Sequence, residues 1–379
     1  MIKCLRALSV LFLSLCLLFS LFACTPEPAA SASYTWSLTE LEGDVEIHTD
    51  LQLQYLLDDY DSIGKYADGK RELSRPLPTR FTWSASPDTE SEPAIVSYTL
   101  EIATESDFSD SVKYTTSEAY MDVYNLLIGT NYLWRVSATL ADGQTVTSQS
   151  SAFSTASVGP RNLYIDGITN ARDLGGWVTE DGYVTSQGKI FRAGRLNKSE
   201  SSEVIIEITE DGILALRDTL GVKTEIDIRR TDNNEVGAIT ASPLGGGVRY
   251  YSLPMDWEVG NILTDNIDTV KQIFAVLGDE SNYPLVFHCN IGTDRTGLLA
   301  FLINGLAGVP EEDLYRDYLF SNFGNIGGSR SLSGIQKSYV STVKSYEGDS
   351  LSEQIQACLI DLGVEKSDID TVIRVMTSD

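Results

Sequence analysis

Between Phe81 and Phe153, apolar and polar residues alternate in short runs closed off by turn residues. The clearest are Phe81-Thr82-Trp83, Ser97-Tyr98-Thr99-Leu100-Glu101-Ile102 and Tyr132-Leu133-Trp134-Arg135-Val136. A period of two buries one face of each run, so these are predicted strands, and their spacing is that of an all-β sandwich. Trp83 and Trp134 are expected in its core. Past residue 160 the texture changes. Thr224-Glu225-Ile226-Asp227-Ile228 and Val248-Arg249-Tyr250-Tyr251-Ser252-Leu253 look like strands, whereas Leu314 to Phe320 and Ser352 to Leu362 carry helix spacing, so the second half is a predicted α/β domain. Ser154 to Arg161, with small residues, Gly159 and Pro160, is the predicted linker. Asp58 to Arg75 is polar and is expected to be a solvated acidic loop; its Asp58-Asp59-Tyr60-Asp61 lacks the Gly and terminal Glu of an EF-hand calcium loop.

The first residues follow neither pattern. Lys3 and Arg6 precede a Leu/Phe-rich run from Ala7 to Ala23 interrupted only by Ser and Cys, which is the build of a signal peptide. The run is near or below the roughly 18 to 20 apolar residues that spanning a membrane requires, so cleavage is expected. Thr25 to Ser33, rich in Pro, Ala and Ser, is the expected flexible tether. A chain of 379 residues with 42% hydrophobic and 22% charged positions has room for two globular domains. Without Lys3 and Arg6, the 28 basic residues fall to 26 against 54 acidic ones, a formal charge of −28. Such a surface repels polyanions, which argues against nucleic acid as a partner and leaves any phosphate chemistry to a local nest. Of five cysteines, Cys4 and Cys16 lie in the leader and Cys24 just after it, leaving Cys289 and Cys358, too few for a disulfide framework. The two histidines, His48 and His288, fall in different predicted domains, which argues against a His/Cys zinc site and a Ser/His/Asp triad.

The chemistry concentrates in one place. Pro284-Leu285-Val286-Phe287-His288-Cys289 is an apolar strand; Asn290-Ile291-Gly292-Thr293-Asp294-Arg295-Thr296-Gly297 is a tight loop; an apolar helix follows from Leu298. Successive backbone N–H groups at such a helix N-terminus make a cradle for a dianion, here Asn290 to Arg295. Amides and a guanidinium stabilise thiolate over thiol, and thiols in such surroundings ionise at about 3.5 to 7.5 instead of 8.5. Cys289 is therefore the expected nucleophile. Arg295, six positions on, can grip two phosphate oxygens with its planar fork. Gly292 lets the backbone turn, and Thr296 can donate its hydroxyl to the cysteine sulfur. The reaction this implies has two steps, transfer of the phosphoryl group to Cys289 and hydrolysis of the resulting thiophosphate, with no metal and no cofactor.

Cys289-x5-Arg295, preceded by His288 and followed by Thr296-Gly297, resembles the signature of the protein tyrosine phosphatase superfamily. Asn170-Ala171-Arg172-Asp173-Leu174-Gly175-Gly176 and Phe191-Arg192-Ala193-Gly194-Arg195-Leu196 resemble blocks of its bacterial secreted tyrosine and dual-specificity branch, related to phosphoinositide phosphatases. The resemblance spans residues 160–379 and implies a phosphomonoester hydrolase acting on a phosphorylated protein or a small phosphomonoester. That branch often carries Lys where Thr293 stands, and the missing charge argues against phosphoinositides. The resemblance favours Asp294 as general acid; Asp256, in Pro254-Met255-Asp256-Trp257, is the alternative. Asp227 and Arg229 at a strand end, with Asp173, Arg192 and His288, are expected supporting residues. Gly129-Thr130-Asn131-Tyr132-Leu133-Trp134-Arg135-Val136 resembles the tyrosine-corner strand of fibronectin type III modules, over residues 34–156. Leu21-Phe22-Ala23-Cys24 resembles a bacterial lipobox, which implies removal of residues 1–23, a lipid on Cys24, a tether over 24–33 and attachment to the extracytoplasmic face of a bacterial membrane. The alternatives are an inositol phosphate phosphatase and a surface binding protein with an inactive phosphatase scaffold.

Overall fold

The computed structural model describes residues 32–197, 206–231, 235 and 239–378. The leader, Cys24 and most of the tether lie outside them. The first half is a sandwich of two sheets. Strands β1 (Tyr34–Leu38), β3 (Thr79–Pro87) and β6 (Tyr120–Val123) form one, in the order β1-β3-β6. The other runs β2 (Asp44–Val45), β9 (Ser151–Thr155), β7 (Asn131–Leu140), β4 (Ile95–Ala103), β5 (Val112–Thr116), with β8 (Thr145–Thr147) paired to β7. Alternation in β7 sends Tyr132, Trp134, Val136 and Ala138 inward, where they meet Phe81, Trp83 and Phe153. Both expected tryptophans are thus core residues. The Tyr132 hydroxyl accepts the Leu127 amide at 2.8 Å, the backward bond that fixes a tyrosine corner.

The second half is built on a five-stranded sheet, order β10-β11-β14-β12-β13: β10 (Arg172–Asp173), β11 (Ile190–Ala193), β14 (Leu285–His288), β12 (Thr224–Asp227) and β13 (Arg249–Ser252). All but β10 run parallel. Strand β14 is central and buried on both faces, which is why Leu285-Val286-Phe287 reads as a continuous apolar run rather than an alternating one. It delivers Cys289 at its carboxyl end, the edge where sites gather in parallel sheets.

The helices, in chain order, are α1 (Asp50–Leu57), α2 (Glu210–Leu214), α3 (Ile267–Leu277), α4 (Asp294–Leu306), α5 (Glu311–Phe320), α6 (Leu332–Ile335), α7 (Ser341–Val343), α8 (Leu351–Asp361) and α9 (Lys366–Thr377). Helix α4 is buried along nearly its whole length against the sheet, and it begins at Asp294, four residues before the predicted start. The predicted helices at Leu314 to Phe320 and Ser352 to Leu362 are the bodies of α5 and α8.

Asp58 to Arg75 is not a solvated loop. It continues from α1, whose buried Tyr55 packs on Phe320 and Phe323 with ring centroids 6.3 and 5.8 Å apart, and it buries Ile63 and Ala67 in the core of the second half. Its partners lie some 250 residues away in sequence, so no local periodicity marks it. The junction at residues 154–161 is likewise anchored: buried Arg161 donates to Asp173 at 2.7 Å and to the Leu126 carbonyl of the sandwich at 3.0 Å.

Candidate active site

The turn from β14 into α4 is tight because Gly292 adopts φ +72°, and a Cβ there would lie 2.5 Å from the Ala193 carbonyl oxygen. Residues from the β10 and β11 regions hold the loop from outside. Asn170 Nδ2 donates to the carbonyls of Ile291 at 3.2 Å and Gly292 at 2.9 Å. Arg192 Nη2 donates to Gly292 O at 2.8 Å, and Arg195 Nη1 to the Asn290 side-chain oxygen at 2.8 Å and its carbonyl at 3.3 Å. With the carbonyls of residues 290 to 292 drawn outward, the N–H at the other end of each peptide plane turns toward the pocket, which is the geometry of an anion nest.

This clasp is fixed by a buried ion triad. Asp317 of α5 accepts from Arg172 Nε at 2.8 Å and from Arg192 Nη1; Arg172 also donates to the Asn170 side-chain oxygen. Burial alone would push the Asp317 carboxyl up, but the two guanidinium groups outweigh it and hold the carboxyl below the usual range.

Cys289 is buried at the base of a cavity of about 140 Å³ lined by Glu235, Trp257, Asn290, Ile291, Asp294, Arg295 and Arg330. Pockets that enclose a whole ligand run to about 300–1,000 Å³, so this one suits a single small group entering from outside. The Arg295 guanidinium is buried and gripped by Glu235, Nη1 to Oε2 at 2.8 Å and Nη2 to Oε1 at 2.6 Å, with further bonds to the carbonyls of Met255 at 3.1 Å and Ile228 at 3.3 Å. Burial lowers its pKa, but the bonds to Glu235 raise it above the ordinary arginine value. Arg195 goes the other way: burial first, then repulsion from Arg229, bring it down to about 10, still cationic at neutral pH. Cys358 stands in contrast, an unbridged thiol in the core whose pKa burial pushes up to about 11.

The remaining expected residues fall into distinct places. Thr296 Oγ1 accepts the Cys289 amide at 3.0 Å, so its described bond is to the backbone of the cysteine and not to its sulfur. Thr293 is fully buried and is not among the residues lining the pocket; its Oγ1 accepts from Asn170 at 3.3 Å. His288 Nε2 lies 2.9 Å from Glu225, and its Nδ1 is 3.3 Å from the Cys289 carbonyl. Asp227 is bonded to Arg229 Nε at 2.9 Å and to the Tyr250 hydroxyl at 3.0 Å. Glu225, Asp227 and His288 bring ligand-type atoms within 4.8 Å of one another, but in full burial and bonded as above they read as a polar brace beneath the cysteine. Asp173 serves the junction, accepting from Arg161 and from the amides of Gly175 and Gly188.

The two acid candidates separate. Asp294 lines the pocket, where Arg330 and the Tyr318 hydroxyl bond it at 3.2 Å. Asp256 is half-exposed, caps the Glu258 amide at 3.0 Å and faces Arg230 at 3.5 Å, the behaviour of a turn aspartate. Glu235, Arg330 and Asp317 carried no signal in sequence, whereas Asn170 and Arg195 stood inside quoted motifs without an assigned role.

Residues 163–338 match a family model described as the tyrosine phosphatase family. A protein of Cupriavidus necator assigned as a tyrosine-protein phosphatase is 28% identical over 190 residues, covering 43% of this chain and 64% of that protein. A tyrosine-protein phosphatase of Nostoc commune is 39% identical over 51 residues, 14% of this chain and 17% of its own. The chain thus spans less than two thirds of either relative. Among solved structures, the core catalytic domain of the PP-IP phosphatase Siw14 from S. cerevisiae in complex with citrate aligns at 17% identity and TM-score 0.29, covering 40% of this chain and 82% of that one. A human FNIII domain aligns at 18% identity and TM-score 0.22, covering 37% and 91%.

Proposed function

We propose, for a chain whose C-terminal half belongs to the protein tyrosine phosphatase superfamily, that it hydrolyses aryl phosphate monoesters, phosphotyrosine above all, through a cysteinyl-phosphate intermediate. The observation that carries this reading is the Cys289 thiol at the base of a small pocket, under a loop whose carbonyls are tied outward and beside the Arg295 guanidinium. The Cys289 thiolate attacks phosphorus, an S–P bond forms and the P–O bond to the leaving group breaks. Asp294 supplies the proton to that oxygen, being the candidate acid in the pocket. In the second step Asp294 takes a proton from the attacking water, the S–P bond breaks, and phosphate leaves with the thiolate restored. Arg295 and the loop amides hold the three non-bridging oxygens throughout.

Trp257, half-exposed on the rim, offers a face to an aromatic leaving group. Both arginines lining the pocket are already paired with carboxylates, Arg295 with Glu235 and Arg330 with Asp294, on a protein of strongly negative charge, and that disfavours a ligand with several phosphates. The test is a panel of a phosphotyrosine peptide, a phosphoserine peptide and inositol phosphates, with the pH profile of kcat/KM for the preferred substrate. The phosphotyrosine peptide is expected to be preferred at least tenfold. Asp294→Asn should lower kcat by roughly 10²–10⁴-fold and flatten the basic limb, because that limb reports loss of the acid's proton; Asp256→Asn should keep it. Preference for an inositol phosphate, or an unchanged limb in Asp294→Asn, would refute the corresponding assignment.

We also propose that the chain is exported and held at the extracytoplasmic membrane face by a lipid on Cys24, a reading supported by Lys3, Arg6, the apolar run to Ala23 and the lipobox-like Leu21-Phe22-Ala23-Cys24. Metabolic labelling with a fatty acid in a bacterial host should mark the wild type and not Cys24→Ser; equal labelling of both would overturn it.

A further inference from the structure

The pocket holds a second guanidinium that the sequence motif does not include. Arg330 lines it, about one third exposed, and donates to both Asp294 oxygens at 3.2–3.3 Å. Burial lowers its pKa, but Asp294 raises it above the ordinary arginine value, so it stays cationic in the pocket that it shares with Cys289. Position 293, meanwhile, cannot supply a cation to this pocket: the Thr293 side chain is buried among the groups that clasp the loop.

Arg330 does not place itself. Its amide donates to Asn322 Oδ1 at 2.7 Å, Asn322 Nδ2 returns a bond to the Arg330 carbonyl at 3.1 Å, and Arg330 Nη1 donates to the Gly328 carbonyl at 3.2 Å. Both of these anchors are held by one residue of the segment between β2 and β3. The Gly69 amide donates to Asn322 O at 2.8 Å, and the Gly69 carbonyl accepts from the amides of Ile326 and Gly328, each at 3.0 Å. Gly69 has φ +73°, and a Cβ there would fall 2.5 Å from the Gly328 carbonyl oxygen, inside the backbone that presents Arg330. Ser329 Oγ adds a bond to the Asp68 carbonyl at 3.0 Å.

We propose that Arg330 is a second phosphoryl-binding arginine, and that the segment around Gly69, which precedes most of the sandwich strands in the chain, is a positioning element of the active site acting through it. On binding, the dianionic phosphoryl group draws the Arg330 guanidinium from Asp294 to its own oxygens, which also frees the Asp294 carboxyl for the leaving group. The proposal rests on the phosphatase reading of the same pocket, and it assigns a segment of the N-terminal half a part in holding that pocket.

The test combines steady-state kinetics on para-nitrophenyl phosphate, the competitive Ki of inorganic phosphate and phosphate affinity by calorimetry, on the full mature chain. Arg330→Gln should raise KM, Ki and the phosphate Kd about tenfold while kcat falls less than about threefold, and Arg330→Lys should recover part of the loss. Gly69→Val should copy the rise in Ki, and the double variant should be no worse than Arg330→Gln alone, because the segment acts through that side chain. An unchanged phosphate Kd in Arg330→Gln would overturn the binding role. Additive losses in the double variant, or a Gly69→Val effect on kcat alone, would overturn the positioning role. Should the wild type turn over no substrate, the phosphatase reading fails by itself, and the calorimetric Kd of Arg330→Gln still decides whether Arg330 binds phosphate.

Discussion

Asp317→Ala is expected to lose about 3–5 kcal/mol of stability, a large part of what a domain of this kind possesses. The carboxylate is buried and is the shared partner of Arg172 and Arg192, themselves fully buried. Removing it leaves two uncompensated cations where water cannot reach, and that desolvation cost dominates over any lost attraction. Function should fail with stability, since Arg172 orients Asn170 and both Asn170 and Arg192 hold the loop carbonyls. Urea denaturation monitored by tryptophan fluorescence would measure the loss, with Asp370→Ala as the comparison: the exposed i,i+4 pair Lys366–Asp370 should be worth less than about 0.5 kcal/mol. A loss below 1 kcal/mol for Asp317→Ala would show that the triad does not anchor the site. The pH dependence has a definite sign. Because the folded-state pKa of Asp317 is depressed, its contribution is present above the ordinary carboxylate range and is lost as pH falls through the lowered value.

Cys289 and Arg295, proposed above as nucleophile and phosphate-binding arginine, could be singled out in sequence because strand, loop and helix N-terminus are contiguous, so Pro284 to Ile303 contains the whole strand-loop-helix unit. Strands β12, β13 and β14 and helices α5 and α8 were legible for the same local reason. What sequence did not disclose is the support, which is assembled from afar. Asp317 meets partners 125 and 145 residues away, Glu235 reaches Arg295 from 60, and Gly69 holds Asn322 and Gly328 from about 250. Asp58 to Arg75 looked solvated because only Ile63, Ala67 and a few flanking apolar residues are buried, each by a contact no period predicts. The position of Thr293 changes the meaning of the absent lysine. Its buried hydroxyl accepts from Asn170 within the clasp, and the cation that lines the pocket beside Arg295 is Arg330.

Cys289→Ser carries the largest expected effect on activity, a fall in kcat of about 10⁴-fold or more. A serine hydroxyl is not ionised at neutral pH, and the described site places no histidine in the pocket to take its proton. Binding need not suffer, because the loop amides, Arg295 and Arg330 are untouched; phosphate affinity within about threefold of wild type would separate lost chemistry from a collapsed loop. The most direct measurement is acid quenching of wild type and Cys289→Ser during turnover of para-nitrophenyl phosphate, followed by peptide mass analysis. The thiolate mechanism predicts one phosphoryl group on the Cys289 peptide of the wild type, formed with a burst of para-nitrophenolate, and neither burst nor label in the variant. Undiminished turnover by Cys289→Ser, or a label on any other residue, would contradict it.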